Sequence, residues 1–84
     1  MKVAVIGSGG REHAICLSLK KSQKVKKIYC IPGNAGTHQI AENVEIEISN
    51  FSKIKDFILN NNIDLVIIGP EKPLVDGIVD YLEK

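Results

Sequence analysis

Val3-Ala4-Val5-Ile6-Gly7-Ser8-Gly9-Gly10-Arg11-Glu12-His13 decides the fold. Four apolar residues in a row suit a parallel strand covered on both faces. The glycine-rich break after them marks a tight turn. Charged residues then open a helical stretch that runs to Lys21, with Ala14, Ile15, Leu17 and Leu19 as its expected apolar face. Lys20, Lys21 and Lys24 gather at its end, where cations complement the helix dipole.

The same strand–turn–helix rhythm repeats outward from this unit. Ile28–Ile31 is a second strand, followed by the turn-rich loop Pro32-Gly33-Asn34-Ala35-Gly36. Val44–Ile48 alternates apolar and acidic residues, which predicts a third strand at the sheet edge with one face in water. Ser49 or Asn50 caps a helix whose buried stripe is Phe51, Ile54, Phe57 and Ile58, and Asn60-Asn61-Asn62 stops it. Leu65–Ile68 is a fourth strand, apolar throughout and read as central. Gly69-Pro70-Glu71-Lys72 follows, and Pro73 suits the first turn of a last helix with Leu74, Val75, Ile78, Tyr81 and Leu82 on one face.

Right-handed crossovers turn this series into a Rossmann-like α/β domain. The expected architecture is an open parallel sheet of order 3-2-1-4 with helices on both faces. The direction of winding reverses between strands one and four. Ligands of such sheets bind in the crevice beyond the carboxyl ends at that reversal. The loops 7–12, 32–37 and 69–72 all reach it.

Composition narrows the reading further. The chain has 84 residues and a mass of 9.2 kDa. A domain of that size buries about 63% of its surface, enough for one small core and no second domain. Hydrophobic residues make up 44%, too many for a disordered chain. Eleven basic against ten acidic residues leave a net charge of +1, without the basic excess of a nucleic-acid-binding domain. With no Trp, two Phe and two Tyr, stacking on bases has little to build on. The apolar run Leu65–Ile68 is far too short to span a bilayer. Met1-Lys2 leads directly into a strand, so no signal peptide is expected. Two cysteines without a disulfide framework fit a reducing, cytoplasmic setting.

Gly7-Ser8-Gly9-Gly10 between strand and helix is an arrangement that admits a phosphate, because glycines let backbone amides approach an anion. The dinucleotide fingerprint is broken twice: Glu12 stands at its third glycine position, and Cys30-Ile31-Pro32-Gly33 offers no acid for a ribose hydroxyl. The Gly-Lys-Ser/Thr ending of a P-loop is missing as well. Arg11 is a candidate phosphate partner and Glu12 a candidate for a substrate hydroxyl or amine; the competing reading is a solvated first turn. His13 reads as packing beneath the glycine loop. Asn34 and Thr37 either bond a ligand or shape their turn. Glu71 follows a strand at the winding reversal, where a ligand-facing acid competes with an ordinary helix-start charge. His13, Cys16 and His38 do not have metal-ligand spacing, so no metal site is expected. Cys30 reads as a buried strand residue.

Three motifs, Met1–His13, Pro32-Gly33-Asn34-Ala35-Gly36-Thr37 and Gly69–Gly77, together resemble the N-terminal domain of the phosphoribosylamine–glycine ligase (glycinamide ribonucleotide synthetase) family. The resemblance covers the whole of 1–84 and implies a pre-ATP-grasp, substrate-binding domain. It implies that the complete enzyme is an ATP-dependent ligase of purine biosynthesis, using Mg2+ with its ATP. Such an enzyme joins glycine to 5-phosphoribosylamine through a glycyl phosphate. The ATP-grasp and C-terminal domains would lie beyond this chain and be its partners in the same polypeptide. Carried over by motif, Gly9, Gly10, Arg11 and Glu12 border the sugar phosphate, Asn34, Gly36 and Thr37 close one side, and Pro70, Glu71 and Pro73 the other. None is assigned chemical catalysis. Two other classes compete: a nucleotide-binding oxidoreductase domain, which NAD binding would favour, and a stand-alone binding module without chemistry of its own.

Overall fold

The computed structural model describes residues 1–69 and 77–83, with side chains at all of these except positions 79, 80 and 83. The elements are β1 (Lys2–Gly7), α1 (Gly10–Lys20), β2 (Lys27–Pro32), α2 (Ala35–His38), β3 (Glu42–Asn43), α3 (Phe51–Asn60), β4 (Leu65–Ile68) and α4 (Ile78–Glu83). All strand pairs are parallel and the order is β3-β2-β1-β4. The expected open sheet and its winding reversal between β1 and β4 are therefore present.

Alternation along β1 divides the core between two faces. Val3 and Val5 join Cys16, Ile28 and Cys30 beneath α1. Ile6 and Ile31 meet Ile54 of α3 and Ile78 of α4 on the other side. Tyr29 packs edge-on against Phe57 at 5.0 Å between ring centroids, which ties α3 to β2. Asn50 caps α3 by accepting from Lys53 N at 3.2 Å. Asn62 beyond its end adopts a left-handed conformation (φ 55°), as the asparagine run predicts.

Three expectations need correction. Val44–Ile48 is not a strand. β3 is only Glu42–Asn43, and after Val44 N donates to Cys30 O the chain closes a tight turn, Ile46 N to Val44 O at 2.8 Å. The alternation is real in burial, because Val44, Ile46 and Ile48 lean on the α3 side of the core while Glu45 and Glu47 are exposed. Period-two burial reports a surface half in water, with or without a ladder.

The face of α1 is also displaced. Ala14 is exposed and Leu17 is 43% exposed, and the inward stripe is Glu12, Ile15, Cys16 and Leu19. Hydrophobicity alone misses it because the stripe begins with a carboxylate. Finally, β4 is an outer strand among the described residues, with Leu65 43% exposed. Its apolar run reflects two covered faces, Ile67 toward α1 and Val66 and Ile68 toward α3 and α4, rather than two paired edges. The expected start of the last helix at Pro73, with Leu74 and Val75 on its face, lies outside the described residues; Ile78 is buried as expected and Leu82 is partly buried.

The two sides of α3 give a direct check on this packing. Ile54→Ala, at a fully buried position, should lower unfolding free energy by about 2–5 kcal/mol. Leu59→Ala, at a position 65% exposed, should change it by less than about 0.5 kcal/mol. Urea titration followed by far-UV circular dichroism measures both.

Candidate functional site

The carboxyl ends of β1, β2 and β4 are drawn together by main-chain bonds. Gly33 N donates to Gly7 O and Gly69 N donates to Ile6 O, each at 3.0 Å. Between these ends lies Glu12, only 4% exposed. Its Oε2 accepts from Gly9 N at 3.0 Å, the reciprocal half of a capping box at the start of α1. The rest of its side chain fills the space that a Cβ would need at Gly7 and at Gly69, and Gly7 also has a positive φ of 144°. Glycine at both strand ends is thus a consequence of the buried glutamate.

Arg11 is exposed, and its Nη1 donates to Gly69 O at 3.1 Å, bridging the reversal from α1 to the end of β4. The amide of Gly9 is occupied by Glu12. The next three amides, of Gly10, Arg11 and Glu12, have no acceptor among the described residues, as the first turn of a helix dictates. They carry about half a positive charge. Among the described residues a Cβ placed on Gly10 meets nothing within 4 Å, so none of them crowds this turn at Gly10.

The second wall begins at Pro32, which follows a cis Ile31–Pro32 peptide, and turns at Gly33 (φ 77°). Asn34 caps α2: its Oδ1 accepts from Thr37 N at 2.9 Å. Its Nδ2 donates to Ser8 O at 2.7 Å and to Gly9 O at 3.3 Å, joining this wall to the glycine loop. Thr37 is fully buried, its Oγ1 accepting from Asn34 N at 2.7 Å and donating to Asn43 Oδ1 at 2.8 Å. Asn43 Nδ2 donates to Asn34 O at 2.7 Å. Gly36 lies beside the His13 ring, so His13 packs against α2 rather than beneath the glycine loop.

The structure therefore brings Gly9, Gly10, Arg11, Glu12, Asn34, Gly36 and Thr37 to one end of the sheet. It turns the side chains of Glu12, Asn34 and Thr37 toward protein partners. Pro70, Glu71 and Pro73 lie outside the described residues. Asn43 was not singled out in the sequence. Its one signal is an asparagine in a strand position, which strands disfavour.

Two cavities lie elsewhere: one of 440 Å³ beside Lys20, Lys26 and His38, and one of 410 Å³ beside Leu59, Leu65 and Leu82. Among the described residues no buried side-chain polar atom lacks a partner, and the polar groups lining the two cavities, such as Lys20, Lys26 and His38 in the first and Lys55 and Asp64 in the second, lie at the surface. No cluster of three or more His, Cys, Asp or Glu among those residues could hold a metal ion. No helix of the structure is long and apolar enough to cross a membrane.

Comparison with known proteins bears on this geometry. The family model described as phosphoribosylglycinamide synthetase, N domain, matches residues 1–84. The chain belongs to that family. It is 57% identical over its full length to a phosphoribosylamine–glycine ligase of Caldanaerobacter subterraneus subsp. tengcongensis. It is 44% identical, again over all of its length, to the enzyme of that name from Nostoc sp.. A third, from Rhodopirellula baltica, is 48% identical over 95% of the chain. The chain spans about a fifth of the length of these relatives: 20%, 20% and 18%. The match covers the glycine loop, the 32–37 turn and β3 alike.

The two free thiols sit behind the glycine loop, Cys30 Sγ lying 3.6 Å from Gly7 O. Burial, then the neighbouring Cys30 and Glu12, push the Cys16 thiol from 9.0 up to about 12. Burial raises Cys30 as well. Both should resist iodoacetamide at pH 8 in the folded chain and react once guanidinium unfolds it. A thiol raised by folding stabilises fully below its unfolded value. Stability should thus be constant up to about pH 9 as far as Cys16 is concerned and fall from there toward pH 12, where Cys16→Ala should flatten the decline. Mass spectrometry of the alkylated chain and denaturant titrations at several pH values measure the two effects.

Proposed function

We propose that residues 1–84 form the N-terminal, sugar-phosphate-binding domain of an ATP-dependent ligase that joins glycine to 5-phosphoribosylamine, a step of purine biosynthesis. The observation that carries this reading is the open first turn of α1 at the winding reversal, in a chain that its family model matches throughout. The phosphate of 5-phosphoribosylamine sits on the Gly10, Arg11 and Glu12 amides. Gly9 shapes the turn. Arg11 adds a charge from the β4 side. Asn34, Gly36 and Thr37 form one wall; Pro70, Glu71 and Pro73, which follow β4 in the sequence, form the other. Glu71 there faces the ribose hydroxyls or the amine.

The chemistry is acyl transfer. A glycine carboxylate oxygen attacks the γ-phosphorus of ATP, and ADP leaves. The substrate amine then attacks the acyl carbon, phosphate leaves and the amine gives up a proton. This domain's residues hold and orient the amine-bearing substrate and take no part in bond making. ATP and its Mg2+ belong to the ATP-grasp portion of the complete ligase. The expected compartment is the cytoplasm, and nucleic acid and membrane are not partners.

Gly10→Asp in the complete ligase tests the assignment. The open space at Gly10 accepts the side chain, and its carboxylate would face the substrate phosphate. KM for 5-phosphoribosylamine should rise at least about tenfold, as loss of a charge-assisted contact worth roughly 1.5–3 kcal/mol implies, with KM for ATP nearly unchanged. Gly10→Ala, which adds no charge, should raise it less. Arg11→Ala should fall between the two. A folded Gly10→Asp enzyme with unaltered KM would remove the anion site. Separately, the purified 84-residue chain should form no glycinamide ribonucleotide from ATP, glycine and 5-phosphoribosylamine; a coupled ADP-release assay checks it.

A further inference from the structure

We infer that Asn43, which lies in the short strand β3 and outside the crevice walls named above, is a positioning residue that aims the Gly10 amide at the substrate phosphate. The inference rests on the proposed reading of the first turn of α1 as the phosphate seat.

The bonds of Asn43 lead outward to the 34–37 turn. The Asn43 backbone is fixed by pairing with Cys30, and Val44 N holds Cys30 O at 2.9 Å directly behind it. Its side-chain amide touches two groups of the 34–37 turn. The Asn34 carbonyl can only accept, so it requires Nδ2, at 2.7 Å. With Nδ2 on the Asn34 carbonyl, Oδ1 faces Thr37 Oγ1 at 2.8 Å, where the single hydroxyl proton has Asn43 Oδ1 and, at 3.0 Å, Asn34 O as acceptors. Both ends of the amide are thereby assigned, and only asparagine supplies a donor and an acceptor at this reach. Gly33 fits the same reading: a Cβ there would overlap the Asn43 amide.

The turn held in this way presents Asn34 Nδ2 to Ser8 O and Gly9 O. Peptide planarity completes the path. A carbonyl oxygen and the following N–H point in opposite directions across a trans peptide. Drawing Ser8 O and Gly9 O toward Asn34, the latter shared with His13 N at 3.2 Å, turns the amides of Gly9 and Gly10 away from it. The first of these reaches Glu12 Oε2, and the second is left for the ligand. Asn43 touches no substrate in this arrangement; it acts through Asn34.

Asn43→Asp, which has the same shape but puts an anionic oxygen against the Asn34 carbonyl, is the direct test in the complete ligase, with Gly10→Asp measured beside it. The expected result is a rise of about tenfold in KM for 5-phosphoribosylamine, with kcat and KM for ATP within about twofold of wild type. The rise should largely vanish in an Asn34→Ala background, because the two residues act in series and their effects do not add. Should Asn43→Asp fail to fold by thermal melt, Thr37→Val breaks the same link, and Thr37→Ser should restore most of the lost affinity. If Gly10→Asp raises KM while the folded Asn43→Asp enzyme does not, or if Asn43→Asp and Asn34→Ala act additively, Asn43 has no positioning role. If Gly10→Asp is itself without effect, the phosphate seat and the inference fall together.

Discussion

The carboxylate of Glu12, buried where β1, β4 and α1 converge, is the constraint on which the rest of this domain depends. A buried carboxylate is costly unless it is paired or hydrogen-bonded. Here the Gly9 amide and the positive end of α1 offset that cost, with Glu12 at the third helical position, where the dipole favours an acid. The steric consequence is stricter than the electrostatic one. The side chain occupies the Cβ positions of Gly7 and Gly69, so both strands must end in glycine and their backbones can run close together. At the winding reversal a glutamate, not a packed apolar side chain, fills the floor.

This floor also accounts for the break in the dinucleotide fingerprint. The third glycine of that fingerprint lets a helix press onto its strand. Glu12 stands there instead and does the reverse, inserting itself between the helix start and two strands. The departure from the pattern that argued against a nicotinamide cofactor in the sequence is the same residue that builds the site in the structure.

Much of the fold was legible because its signals are local. Val3–Ile6, Ile28–Ile31 and Leu65–Ile68 announce strands by composition, Asn50 and Asn60–Asn62 bracket α3 by cap chemistry, and right-handed crossovers leave one sheet order. What escaped was set by tertiary context. Val44–Ile48 has a strand's burial without a strand's hydrogen bonds, and the inward face of α1 starts at an acid. The site divides in the same way. Gly9 and Gly10 were legible as a backbone feature. Asn34 and Thr37 were legible as polar residues in a turn, but their partners were not, since those partners come from Ser8, Gly9 and the distant Asn43. A residue whose only function is to hold another carries no motif of its own.

Every buried polar side-chain atom among the described residues is already satisfied by protein, while the Gly10, Arg11 and Glu12 amides and the exposed Arg11 guanidinium stand at the crevice. The amides need no reorientation to meet an anion. Long-range charge contributes little beside them. The net charge is only +1, and five lysines, Lys20, Lys21, Lys24, Lys26 and Lys27, follow the far end of α1. Eleven helical residues place them roughly 16 Å from the first turn. That is about twice the screening length of ~8 Å at physiological ionic strength. On the proposed reading the pull on a phosphate is therefore short-ranged and directional, and it depends on the orientation of a few peptide planes held by Glu12 from below and by Asn34 from the side.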